Sequence, residues 1–503
     1  MEISGTKESA EPPPAPSFVR RGKPLIDFYI PHRDKEGYGL HAETVRKLKE
    51  RGTQLIITVD CGIASVEEIA LARELGMDVL VIDHHQFGEV LPQAILVHPG
   101  LPDENYPFKK LAAVGVAYKF ACALLDEARQ RGADISMGWE KWLLDLVAIA
   151  TVTDMMPLLN ENRVLEKYGL TVLNKTRRPG LLALIESAGL KSGELNTEDV
   201  GFALGPRLNA AGRMEHAELA LRLLLSAAPD EAKSLAADLE RCNRDRQDAV
   251  RQMLVQAEEY LATNYSLLTT NLPPVLVLWD ERWSPSLVGL LAGKFFDRFG
   301  RPTVVVGKHE EKWIGSGRSF AGYDITAAMR AAGEGLLTRC GGHIQACGFA
   351  LSDPVHLPVL AGKLAAHGSA ALAGDDLAPL LDIEHELPLH WLGEDLAADL
   401  AKLEPFGEAN RRPLFVARRC PIVAVELVGS TKTHLRLTFV NEQGKRVRGI
   451  GFKMGDRLAE AVIGVELDIV YHVQVHEWNG RREIECKLVD FAKSKEESKI
   501  ICI

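Results

Sequence analysis

The chain has 503 residues, 46% of them hydrophobic and 25% charged, which is the make-up of an ordinary globular protein and excludes fibrous, collagen-like and wholly disordered classes. At about 100–200 residues per domain, that length predicts three domains, and apolar runs such as Pro273–Trp279 are far too short for the ~20 residues of a membrane-spanning helix. The net charge of −10, from 59 basic and 69 acidic residues, excludes a uniformly basic nucleic-acid binder but not a local basic groove.

The N-terminal stretch carries Glu2, Lys7, Glu8, Glu11 and the prolines Pro12–Pro14 with no apolar core, so it is no secretory signal and residues 1–22 read as a disordered leader. The cysteines (Cys61, Cys122, Cys242, Cys340, Cys347, Cys420, Cys486, Cys502) are scattered without a C-x-x-C pair, as expected for free thiols in a reducing cytosol. A cytoplasmic protein is expected.

The β-branched run Thr53–Val59 predicts a strand, Ser65–Leu75 a helix and Asp78–Ile82 a second strand. This βαβ unit implies a parallel sheet. The apolar run Leu144–Thr151 is read as a further strand ahead of Asp154. After the Gly- and Pro-rich stretch Thr197–Gly212, the charged segment Ala217–Leu261 predicts a long solvated helix joining two domains.

A second α/β unit follows, with strands at Val275–Leu278 and Thr303–Val306 around a helix Leu287–Phe299. It ends in an Ala/Gly-rich linker near Ala370. Ile422–Val428, His434–Val440, Val447–Phe452, Leu467–Val475 and Glu483–Leu488 are short, partly alternating strands and predict an antiparallel barrel of the OB type. The expected architecture is therefore α/β: a parallel-sheet domain over 23–215, a connecting helix over 216–265, a smaller α/β domain over 266–370, a C-terminal OB-type β-barrel over 380–491, and a charged tail over 492–503.

Chemistry concentrates at the predicted strand ends. Asp83-His84-His85 follows Asp78–Ile82, Asp60 follows Thr53–Val59, and Asp154 follows the run ending at Val152. Ligands gather at the carboxyl ends of parallel strands. An aspartate there also serves as a helix cap, but three strand ends carrying three acidic sites and two imidazoles form a donor set suited to Mn²⁺ or Mg²⁺. Two such ions about 3.5–4 Å apart clamp the oxygens of a phosphodiester under hydrolysis.

The order of motifs resembles the DHH phosphoesterase family, in particular its branch of bacterial single-strand-specific DNA exonucleases. The matching segments are Tyr29–Arg33 (YIPHR), Gly37–Leu40 (GYGL), Val59–Gly62 (VDCG), Asp83–His85 (DHH), Thr151–Pro157 (TVTDMMP), Asn160–Arg163 (NENR), Gly201–Met214 (GFALGPRLNAAGRM), Trp283–Leu290 (WSPSLVGL), Gly315–Ser319 (GSGRS), Gly341–Phe349 (GGHIQACGF), Leu403–Asn410 (LEPFGEAN) and Lys432–Leu437 (KTHLRL).

The resemblance implies that Asp60, His84 and Asp154 ligate metal. His85 would lie beside the scissile phosphate, and Asp83 would orient a histidine. Arg207, Asn209 and Arg213 would hold backbone phosphates. Ser316, Arg318, Gly341, Gly342 and His343, in a Gly-Gly turn of a DHH-associated domain, would hold the substrate strand or its terminal phosphate. It also implies single-stranded DNA as substrate, helicase and single-strand-binding proteins as partners, and a monomer. In the OB-like region Arg411, Arg412, Lys432, Arg436, Arg446, Arg448, Arg481 and Arg482, with Phe415 and Trp478 nearby, predict a basic groove with aromatic platforms. The charge run Arg241–Arg251 is read as a solvated helix face.

The family pattern also holds an earlier Asp-x-Asp-x-Asp-Gly motif that supplies two metal-binding aspartates, and Met1–Phe28 contains none. The expected function is a metal-dependent 5′→3′ exonuclease that hydrolyses single-stranded DNA by two-metal-ion chemistry in recombination and repair. The alternative is a catalytically impaired single-strand-binding or scaffold protein of the same fold. A small-substrate phosphoesterase fits less well, because it has no use for a strand-feeding OB domain.

Overall fold

The computed structural model describes residues 26–33, 36–264, 272–351, 353–372, 381–478 and 481–494. The expected leader lies outside the described residues, as does most of the expected tail. The chain divides into two compact units, Met1–Met156 with Val164–Pro379, and Pro157–Arg163 with Leu380–Ile503.

The first unit begins with helix α1 (Ala42–Glu50), strand β1 (Leu55–Val59), helix α2 (Val66–Glu74), and strands β2 (Asp78–Ile82) and β3 (Ile95–Val97). The three strands pair in that order, all parallel, as the βαβ pattern requires. Val45, Ile56, Ile63, Ile69, Met77, Val79 and Val81 form the core between the sheet and these helices. The other face of β1 carries Leu55, Ile57 and Val59, each about half exposed. Parallel strands are ordinarily covered on both faces.

Helix α3 (Ala113–Gln130) and helix α4 (Leu144–Thr153) follow. The strand read at Leu144–Thr151 is therefore a correction: the segment is α4. Its apolar residues surround the helix, so Leu144, Val147, Ala148, Ile149 and Thr151 are all buried and the run carries no amphipathic period. Helix α5 (Asn160–Leu173) packs against it, and a Cβ on Gly169 would fall 2.6 Å from the Leu144 carbonyl oxygen.

The helix expected over Ala217–Leu261 is two helices, Glu218–Leu225 and Pro229–Asn264. Nor is it solvated all round. Ala232, Leu235, Ala236 and Leu239 enter one core cluster, while Val250, Met253, Ala257 and Leu261 enter another. Its charges hide an amphipathic stripe.

The second sheet runs Leu276–Trp279, Thr303–His309, Lys312–Arg318, Ala346–Leu351, Leu337–His343. Only the first pair is parallel. Gly341 and Gly342, expected in a turn, instead pair across the last ladder with Gly348 and Cys347. The expected linker is helical as far as Ala371, in helix Leu357–Ala371, and its remainder lies outside the described residues.

The second unit holds a closed barrel. Strands His434–Val440, Arg446–Gly451, Arg481–Lys493, Glu466–Trp478 and Phe415–Val428 pair in that order, and the last pairs back with the first. Alternation puts Leu435, Leu437, Phe439, Leu467, Ile469 and Tyr471 fully inside. The Tyr471 hydroxyl donates to the Leu387 carbonyl at 2.6 Å. The final strand reaches Lys493, one residue past the expected start of the tail.

Candidate functional site

The end of the three-stranded sheet positions the acids. Register runs from Leu55↔Asp78 to Val59↔Ile82. One step further, the Asp60 N–H donates to the Ile82 carbonyl at 2.9 Å and the Asp83 N–H to the Val97 carbonyl at 3.2 Å. Each acid is thus the first residue past its strand, at the same edge of the sheet. Asp60 has φ 61°, a left-handed conformation in which a non-glycine residue is strained. A Cβ on Gly62 would lie 2.5 Å from the Thr58 hydroxyl, so the turn after Asp60 needs glycine.

Asp83 is buried, and its carboxylate is saturated with donors. Oδ2 accepts from the Ile63 N–H at 3.0 Å; Oδ1 accepts from the N–H groups of His84 and His85 at 2.8 and 3.2 Å and lies 2.7 Å from His85 Nδ1. Burial pushes this carboxyl up, but the His85 ring and the three N–H groups outweigh it and hold it at about 2. The hydrogen bond to Asp83 raises the His85 pKa against the effect of burial. The histidine that Asp83 orients is therefore His85.

His84 Nε2 lies 3.3 Å from Asp60 Oδ1 and 3.4 Å from Asp154 Oδ2. Ligand atoms of Asp60, His84 and His85 all fall within 4.8 Å of one another, and Asp154 joins through His84. Asp154 reaches the cluster from the C-terminal cap of α4, not from a strand end, with its N–H donating to Ala150. Burial raises its pKa, His84 lowers it and Asp60 raises it further. Tyr38, which the sequence reading left without a role, donates its hydroxyl to the Asp60 carbonyl and packs its ring edge-on to His85 at 5.7 Å.

A second group is cationic. Arg213, on helix Gly205–Met214, donates to the Ser286 carbonyl at 2.7 Å. Burial, and then the charges of Arg33, Arg246 and Arg318, pull its pKa down to about 10. Burial also lowers Arg246 and Arg318. Among the described residues none of these four has a carboxylate within ion-pair distance. Arg318 donates to the Ser316 hydroxyl and the Gly317 carbonyl, both at 2.8 Å. Arg246 Nε is buried with no hydrogen-bond partner. Clustered, partly desolvated guanidinium groups without acids are chemically suited to hold an anion.

The other expected phosphate contacts are placed differently. Arg207 turns inward, with Nε 2.7 Å from Glu240 Oε2 and Nη1 2.9 Å from the Ala203 carbonyl. Asn209 is exposed on the same helix, and Gly341, Gly342 and His343 end the strand Leu337–His343. Arg33 was legible as part of YIPHR. Arg246 carried no local signal, because it sits inside a run of like residues on an amphipathic helix.

In the barrel unit most of the expected groove cations have acidic neighbours. Arg436 lies 3.4 Å from Glu426, Arg411 3.6 Å from Asp382, Arg482 3.8 Å from Glu394, and Arg448 pairs with Glu483. Arg412 stands over the Phe406 ring at 4.7 Å. Phe415, expected as a platform, is buried in the barrel core. The aromatic exposed among the described residues near Lys432 is Phe452.

Three family models match the chain: "DHH family, N-terminal domain" over residues 15–151, "DHHA1 domain" over 272–366 and "RecJ OB domain" over 383–490. The single-stranded-DNA-specific exonuclease RecJ of Bacillus subtilis is 38% identical over 473 residues, 93% of this chain and 58% of that protein. The Escherichia coli protein of the same name is 33% identical over 92% of this chain and 81% of its own. The crystal structure of RecJ in complex with Mn²⁺ from Thermus thermophilus superposes with a TM-score of 0.74 at 31% identity, covering 90% of this chain and 64% of that one. The chain thus spans 58% of the length of its Bacillus relative. No helix among the described residues is long and apolar enough to cross a membrane.

Proposed function

The chain belongs to the RecJ family, and from that premise we propose that it hydrolyses single-stranded DNA from the 5′ end. The observation that carries this reading is the presence within one unit of a carboxylate–imidazole cluster and of four arginines grouped without an acid.

The donor set fits a hard divalent cation. Neighbouring ligands of an octahedral ion held at about 2.1 Å lie about 3 Å apart, and His84 Nε2 stands 3.3 and 3.4 Å from the two carboxylates. Asp60, His84 and Asp154 would hold Mn²⁺ or Mg²⁺. When bound, a pair of such ions supplies an activated water and neutralises charge at the leaving oxygen.

The remaining work falls to the chain itself. Asp83 holds His85 through Nδ1, which keeps its Nε2 available to carry a proton beside the phosphate. The hydroxyl of Tyr38 fixes the Asp60 turn, in which a strained backbone sets the carboxylate. Arg213 and Arg318, with Arg33 and Arg246, would grip the 5′-terminal phosphate and set the direction of degradation. The OB barrel would feed the strand. A role in recombination and repair, helicase and single-strand-binding partners, a monomeric state and a cytoplasmic location complete the proposal.

The test offers the chain single-stranded and blunt duplex DNA of one sequence with Mn²⁺. Degradation of the single strand alone supports the reading; equal or faster loss of the duplex refutes it.

A further inference from the structure

The motifs Asn160–Arg163 (NENR) and Leu403–Asn410 (LEPFGEAN) have no part in the metal cluster or the arginine group, yet the fold brings them together. Residues Pro157–Arg163 fold with the second unit, although α4 before them and most of α5 after them belong to the first. Leu158 is buried, and its N–H donates to the Glu408 carbonyl at 2.7 Å. A Cβ on Gly407 would fall 2.6 Å from Leu158 Cδ1, so the loop closes on this side chain. Arg163 Nη2 donates to the carbonyls of Leu403 at 2.8 Å and Glu404 at 3.2 Å, and lies 3.5 Å from that of Lys402. These carbonyls follow the helix Glu394–Ala401, where a guanidinium meets the negative end of the helix dipole. Asn410 Nδ2 ties the same loop, donating to the Leu403 and Pro405 carbonyls at 3.0 and 2.7 Å.

The anchored segment starts at Pro157, just beyond Asp154. The path between them is tight. Asp154 caps α4, and Met155 takes φ 57°, the left-handed region in which a non-glycine residue is strained. Such a conformation persists only where the structure on both sides fixes it. On one side the Met155 and Met156 N–H groups donate to the Val152 and Thr151 carbonyls at 3.1 and 3.2 Å. On the other stand Leu158 and Arg163. The Asp154 carboxylate depends on this backbone. Asp83 accepts from the N–H groups of Ile63, His84 and His85, whereas among the described residues no hydrogen bond reaches the Asp154 carboxylate, and His84 Nε2 stands 3.4 Å away.

We infer that Arg163 is a positioning residue for Asp154. With Leu158 it clamps the segment beyond Met155 onto the 402–410 loop, and so sets the carboxylate for a divalent cation. The loop thereby braces a ligand of the metal centre through the backbone, where the usual outer partner is a side chain bonded to the ligand itself. The inference rests on the metal-centre reading above and deepens it.

The experiment measures Mn²⁺ binding to the full chain without DNA, from the paramagnetic signal of the free ion, beside the melting temperature of the metal-free protein. Arg163→Ala is expected to weaken Mn²⁺ binding about tenfold, as loss of an outer partner does. Arg163→Lys, whose ammonium keeps donors for the same carbonyls, should recover most of that loss. Gly407→Ala displaces Leu158 without touching a charge and should weaken binding several-fold. Val447→Ala, a small cavity in the barrel core, should lower the melting temperature and leave Mn²⁺ affinity at the wild-type value. Wild-type affinity in Arg163→Ala overturns this inference alone, as does wild-type affinity in Gly407→Ala should Arg163→Ala fail to fold, or an equal loss in Val447→Ala. Absence of Mn²⁺ binding by the wild type overturns the metal-centre reading with it.

Discussion

Two groups of arginines, one in each unit, are handled in opposite ways. In the barrel, Arg418, Arg436, Arg448, Arg457 and Arg482 each face a carboxylate, and Arg457 bridges Glu460 and Asp490. In the first unit, Arg213 and Arg318 are more deeply desolvated, yet sit with Arg33 and Arg246 and no acid within ion-pair distance among the described residues. Exposed ion pairs contribute little, and a solvated arginine can be spared. A buried guanidinium that repels its neighbours costs stability unless a ligand supplies the counter-charge. The lesson is that basic residues on a supposed nucleic-acid protein are to be sorted by what already neutralises them. Counting basic residues favours the barrel; pairing favours the four arginines of the first unit.

That comparison can be broken by substitution. The largest effect is expected at the hydrolytic cluster: His84→Ala should cut cleavage by about a thousandfold or more while leaving the melting temperature near wild type. Next is a buried group with no counter-charge at all. Glu166 on α5 is inaccessible, neither carboxylate oxygen has a hydrogen-bond partner, and burial pushes its pKa from 4.5 up to about 9. The folded state therefore holds a proton that the unfolded chain gives up above pH 4.5. The pH-dependent part of its cost is absent below that pH and grows as pH rises towards 9. Glu166→Gln should stabilise by on the order of 3 kcal/mol at pH 7 and by nothing near pH 4, read from denaturant midpoints at both.

A smaller effect is expected at the anion site. Arg318→Ala should lower the preference for a 5′-phosphorylated over a 5′-hydroxyl strand by about 10–100-fold, the value of one or two charge-assisted hydrogen bonds. Smallest are the paired barrel cations. Arg436→Ala should shift stability by less than about 0.5 kcal/mol and strand affinity by less than about twofold. A loss there as large as at Arg318 would erase the distinction.

Much of the fold was readable where periodicity is clean. β2 occupies Asp78–Ile82 and the barrel strand His434–Val440 as expected, since β-branched and alternating runs leave little choice. The misreadings share one cause. Leu144–Thr153 and the helix from Pro229 to Asn264 have patterns set by tertiary burial, one apolar on all sides and the other charged outside a narrow stripe. The cluster of Asp60, Asp83, His84, His85 and Asp154 was legible because strand ends bring such residues to one edge, although Asp154 arrives from a helix. Arg207, Arg246, Phe415 and Phe452 were not, because which way a side chain faces depends on packing across distant segments.

The central claim is that this chain carries a working hydrolytic centre that starts from a 5′ phosphate. The most direct measurement is cleavage of a 5′-phosphorylated, 3′-labelled single strand with Mn²⁺, beside Asp60→Ala. The account predicts progressive loss from the 5′ end that the variant lacks. An intact strand after incubation with a protein that binds it, or equal cleavage by the variant, would contradict it.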